Sequence, residues 1–170
     1  MQTTTVKLYS WRYDSAKTYL AAALFLVGNL ALPQLFHLVP KGGIVWLPIY
    51  FFTLVGAYKY GWRVGLLTAV ASPVINSLLF GMPPAAALPA IVAKSVLLAL
   101  CAGYAAARFR KASLVLLLAV VLAYQVSGTL VEWALKGDLL LAVQDFRLGV
   151  PGMLLQVLGG WVMINWVIRK

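Results

Sequence analysis

"GAYKYGWRVG", residues 56–65, is the stretch on which the fold turns. It sets Lys59 and Arg63 among Tyr58, Tyr60 and Trp62, with glycines at both ends and inside, between two apolar runs. The surrounding chain is 63% hydrophobic and 11% charged, with a mean hydropathy of +0.92. A soluble domain of 170 residues needs far more polar surface than this to cover its core. Most side chains must therefore face lipid or each other inside a bilayer. The length suits one compact domain. The single cysteine, Cys101, has no partner for an internal disulfide.

Crossing the ~30 Å hydrocarbon layer takes about 20 helical residues. Working outward from the quoted turn, apolar runs between breakers predict spans near Thr18–Leu38, Gly42–Tyr58, Val64–Phe80, Ala85–Ala107, Ser113–Leu135 and Leu148–Ile168. The second and third are short enough for a re-entrant pair, but charge argues against it. With the N-terminus cytoplasmic, one side collects Lys7, Arg12, Lys17, Lys59, Arg63, Arg108, Arg110, Lys111, Arg169 and Lys170. The other collects Lys41, Lys136 and Arg147, leaving Lys94 inside a span. That asymmetry predicts an all-α, compact six-helix membrane bundle with both termini cytoplasmic. The expected location is the prokaryotic cell membrane, as a multi-pass protein. Residues 1–17 form a cytoplasmic segment, residues 18–168 a single transmembrane domain, and outer loops fall at about 39–43, 81–84 and 136–147. The quoted stretch is then a tight cytoplasmic turn carrying positive anchors and an aromatic belt.

The net charge of +10 suits the anionic cytoplasmic membrane face. It does not suit nucleic acid, because the basic residues gather on no polar domain. The first span lacks the cleavage pattern of a signal peptide. Asp14 or Ser15 is placed to cap it.

Helices in lipid associate where small residues let backbones approach. Gly61, Gly65 and Ala69 form one ridge, and Ser95, Ala99, Gly103 and Ala107 another. These serve internal packing or the docking of a partner subunit. Ala21, Ala22, Ala23 and Gly28 give the first span a small face as well.

Ionisable groups in a bilayer cost about 2.5–3.5 kcal/mol each on insertion scales, so each needs an account. At ~1.5 Å per helical residue, Asn76, Lys94, Glu132 and Gln156 fall at one level in the outer third of four different spans. Gln125 sits deeper. One account is neutralisation, with Lys94 paired to Glu132 and the amides bonded to backbone. The other is a polar cavity open to the outside that holds a small solute. Ser72-Pro73 supports the cavity, because proline frees a carbonyl. The loops "HLVPKGGIVW" (37–46) and "KGDLLLAVQDFRLGVPG" (136–152) are long enough to close it. An ammonium at Lys94 favours a carboxylate or phosphate ligand unless Glu132 cancels it.

The run "GAYKYGWRVGLLTAVASPVINSLLFGMPP" (56–84), with Gly56, Gly61, Gly65, Ser72, Asn76, Pro83 and Pro84, resembles the substrate-binding S component of energy-coupling-factor transporters. "LPAIVAKSVLLALCAGYAA" (88–106) resembles that family's fourth span. The resemblance implies capture of a vitamin-like micronutrient from outside, then docking to a transmembrane coupling subunit with cytoplasmic ATPases. It implies substrate contacts at Trp46, Lys94, the segment around Asp145 and Arg147, and Gln156. It also implies a docking face on the first span, where Ala21–Ala23 and Gly28 stand without a strict Ala-x-x-x-Ala match.

No cofactor is called for. His37 stands alone, no phosphate-binding G-x-x-x-x-G-K-[ST] is present, and no acid–base pair lies at helical spacing, so the chain does not read as an enzyme. The remaining alternative to a solute-binding subunit is a scaffold protein whose intramembrane polar groups only knit the bundle.

Overall fold

The computed structural model describes residues 6–168, and among them the architecture is all-α. Five helices are long and apolar enough to cross a membrane. They are α1 (Ala16–His37), α4 (Trp62–Phe80), α5 (Leu88–Phe109), α6 (Leu114–Lys136) and α9 (Val150–Val167). Between α1 and α4 the chain forms α2 (Gly42–Trp46), a 3₁₀ turn at Pro48–Tyr50 and α3 (Phe51–Tyr60). Two short helices, α7 (Leu139–Ala142) and α8 (Gln144–Leu148), link α6 to α9.

The expected span Gly42–Tyr58 is thus not one helix. Pro48 disfavours a right-handed helical conformation at the residue before it, and Leu47 adopts a left-handed one (φ 47°). What remains, α3, is a ten-residue helix enclosed by its neighbours, with Leu54, Val55, Ala57 and Tyr58 fully buried. Irregular backbone at membrane depth is tolerated where protein surrounds it, and here Leu47 and Tyr50 are themselves buried.

The bundle wears its apolar residues outside. Leu20, Leu24, Leu78, Val115 and Trp166 are largely exposed, whereas Asn29, Thr53, Gln125 and Gln156 are fully buried. An apolar rim this continuous suits lipid and not water.

The quoted turn is as tight as expected, with α3 ending at Tyr60 and α4 starting at Trp62. Gly61 joins them at φ 105°, a conformation only glycine adopts without strain. Lys59 departs from expectation. It is fully buried, and its Nζ donates to the Lys7 carbonyl at 2.8 Å. The amides of Tyr9 and Trp11 in turn donate to the carbonyls of Lys59 and Tyr60, so the preceding segment is strapped along the turn. Within the strap, Tyr9 stacks on the Tyr60 ring and Trp11 packs tilted against it. The Arg63 guanidinium lies 4.6 Å from the Trp62 ring. Ser15 stands at the α1 N-cap without a side-chain cap bond, and Asp14 pairs with Arg12.

The α5–α6 connection reaches the same end, where Tyr58 Oη donates to the Lys111 carbonyl and Asn165 to that of Ala112. Arg169 and Lys170 of the expected basic set lie outside the described residues. The two small-residue ridges meet inside the bundle. A side chain at Gly65 would strike Ala57 and Ala99, and one at Gly103 would strike Trp62. They are spent on close packing of α3, α4 and α5.

Candidate functional site

The site is built at the end of the bundle opposite the strap. Lys94 stands a turn and a half into α5, after Pro89 in that helix's first turn. Its stem crosses α6 at Gly128, where a Cβ would come within 2.6 Å of Lys94 Cγ. That crossing delivers the ammonium to Glu132, one turn further along α6, with Nζ 2.5 Å from Oε2. The other oxygen, Oε1, accepts from Lys136 one turn on, at 2.6 Å. Asp145, in the first turn of α8, accepts from Lys94 through Oδ2 at 2.8 Å. Two ammonium groups and two carboxylates therefore form one chain, Lys136–Glu132–Lys94–Asp145, with no net charge.

Exposure falls inward along it. The Lys136 side chain is 29% exposed, Asp145 13%, Glu132 11% and Lys94 3%. Burial raises the Asp145 carboxyl above its ordinary value of 3.8, and the neighbouring Lys94 ammonium offsets only part of that.

The quartet forms one wall of a cavity of about 330 Å³. The break between α2 and α3 (Leu47, Pro48) and the α4–α5 loop (Pro83, Pro84) supply apolar walls, and Tyr50, His37 and Gln144 add polar groups. Beneath it, Tyr50 lies 5.6 Å from the Tyr124 ring, and Tyr124 Oη donates to Gln156 Oε1 at 2.8 Å. Ser95 Oγ, both amide atoms of Gln125, Thr129 Oγ1 and Gln156 Nε2 are buried without a partner among the described residues.

Of the expected site residues, Lys94, Glu132 and Asp145 meet in this wall. Asn76 does not line the cavity. Pro33, inside α1, has no N–H to offer the Asn29 carbonyl one turn back, and Asn76 Nδ2 supplies the donor at 2.9 Å. Asn29 itself ties α1 to α3 and α4 through Thr53 Oγ1 (3.0 Å), Ser72 Oγ (3.2 Å) and the Phe52 amide (3.1 Å). The proline whose freed carbonyl matters at Asn76 is thus Pro33, not Pro73. Gln156 lies below the cavity in a π turn, Leu155–Gly159. Trp46 stacks on Phe36 at 5.4 Å and is crossed by Gly152, and Arg147 is exposed outside the cavity.

The residues implied for docking divide. Ala21 and Ala23 line an open apolar groove with Leu20, Leu24, Val27 and Tyr60. Ala22 is buried, and Gly28 faces the Phe52 ring. Sequence reading missed Lys136 and Asn29 as partners. The i, i+4 spacing of Glu132 and Lys136 was an available signal for the first.

Compared with family models, curated proteins and solved structures, the chain matches none.

Proposed function

We propose that this protein is the solute-binding subunit of an uptake system in the cell membrane. It would capture a vitamin-like micronutrient from outside and release it inward after docking to an ATP-driven coupling module. In this reading the chain crosses six times, with the α2–α3 segment as a discontinuous second span, and both termini are cytoplasmic. The observation that carries it is the cavity of about 330 Å³ at the end away from the basic strap, walled by four paired charged groups of which Lys94 and Glu132 are buried. A bundle needing only stability would fill such a space with leucine, since buried ion pairs seldom stabilise more than apolar packing does. The broken segment beside the cavity adds support, because membrane proteins place irregular backbone where a binding site needs it. The apolar groove at Ala21 and Ala23 offers a surface for the coupling subunit.

The scaffold reading draws on the mutual pairing of the quartet and on the Asn29–Asn76 network, which satisfy one another without a ligand. One experiment separates the two. Native mass spectrometry of the protein released gently from its own membranes is expected to show a retained small molecule. Ala87→Trp, which fills the cavity from its α4–α5 side, is expected to lose that molecule and keep the fold. If no small molecule is retained, and none stabilises the wild type against heating, the solute-binding reading fails.

A further inference from the structure

Resting on the reading of the cavity as a solute site, we propose that its ligand carries no net charge. It presents a hydrogen-bond donor to Asp145 and an acceptor to Lys136 on a compact, mainly apolar body.

The first argument is charge balance. Lys94 and Lys136 contribute two positive charges, and Glu132 and Asp145 two negative ones. The Gln144 amide adds none. A carboxylate or phosphate entering this wall would leave an uncompensated negative charge in an apolar space, and an amine would leave a positive one. Either costs several kcal/mol per unpaired ion. The ammonium of Lys94, read from sequence as a counter-ion for an anionic cargo, is already committed. It touches two carboxylates and is 3% exposed.

The second argument is spare bonding capacity. Glu132 has both oxygens engaged, one on each lysine. Lys136 spends one of its three N–H groups on Glu132 and is the most exposed member. Asp145 engages Oδ2, and with no hydrogen bond to Oδ1 among the described residues that oxygen can accept a further one. The quartet thus offers one ammonium donor and one carboxylate acceptor, and hydrogen bonds to ionised groups are the stronger class. A ligand edge with an N–H beside a C=O, as in an amide, a ureide or a heterocyclic lactam, matches both at once. A zwitterion also matches, because it too brings no net charge. The remaining walls, from Pro33, Leu47, Pro48, Pro83 and Ile91, suit an apolar body. The volume lies at the low end of small-molecule sites.

The test uses the full-length protein in lipid nanodiscs. Matched sets of small ring compounds, each scaffold as its primary amide, its carboxylate and its aminomethyl form, are screened by thermal shift and titrated. Amides are expected to bind at least tenfold more tightly than either charged form, with Ala87→Trp abolishing the response. Asp145→Asn leaves the wall with an excess positive charge and is expected to shift preference toward carboxylates. Lys136→Met leaves an excess negative charge and is expected to shift it toward amines. Preference of the wild type for carboxylates or amines would overturn the neutral-ligand assignment while leaving the solute site standing. So would Asp145→Asn and Lys136→Met shifting preference in the same direction. No binding from any set, together with no molecule retained from native membranes, would overturn the solute site itself.

Discussion

Replacing Lys94 by methionine keeps most of the stem that crosses Gly128 and removes only the ammonium. Glu132 keeps Lys136 at 2.6 Å, but Asp145 loses the ammonium 2.8 Å from its Oδ2 while remaining 13% exposed. Breaking a buried pair by removing one member costs about 3–5 kcal/mol, because the other charge stays desolvated. Asp145→Asn alone should cost less, because Lys94 keeps Glu132 at 2.5 Å and burial of an ionised Asp145 is itself unfavourable. Combining Lys94→Met with Asp145→Asn removes one charge of each sign and restores neutrality. The double variant should therefore be more stable than the sum of the single losses predicts, with a coupling of about 1–3 kcal/mol. The assay is equilibrium unfolding of the four proteins in mixed micelles, followed by tryptophan fluorescence. Losses that add to within about 0.5 kcal/mol would refute the claim that these two groups neutralise each other.

Asn76→Leu removes the donor to the Asn29 carbonyl and should lower stability by about 1–3 kcal/mol in the same assay, with ligand affinity unchanged because Asn76 lies outside the cavity wall. Gly103→Ala would set a methyl 2.8 Å from the Trp62 Cα and should cost about 1–3 kcal/mol by forcing α4 and α5 apart, measured against wild type by unfolding. Asp145 has a native pKa above its unfolded value, so the native state holds the extra proton between the two. Its contribution to stability is full below pH 3.8 and is lost as pH rises through the native value, and the stability difference between wild type and Asp145→Asn should follow that sign. An infrared titration of the carboxyl band, with Asp145→Asn as reference, should find the midpoint above 3.8.

Five of the six expected spans stand within three residues of their expected ends, because hydropathy and helix breakers act locally along the chain. The turn at Gly61 was legible for the same reason, and so was the expectation that an intramembrane Lys94 must have a partner. The break at Leu47–Pro48 was written in the proline, yet apolar composition masked it, since a buried loop and a buried helix are equally hydrophobic. Lys59 misled because a cation at a helix end is ordinarily solvated. Here the strap from Lys7 to Trp11 folds over it and supplies a carbonyl.

By itself, then, the sequence determined that the chain is helical and apolar on its outside, where the long helices run, and which polar groups sit inside them. Only the tertiary structure decided how those groups sort. Asn76 closes a gap left by Pro33 on another helix, Gln156 drops beneath the cavity, and Asp145 arrives from a linker to complete the quartet. Depth along a helix is a one-dimensional quantity that residue counting yields. Which side chains touch depends on how each helix is rotated and how closely small residues such as Gly128 let its neighbour approach, and those are settled only when all the helices pack together.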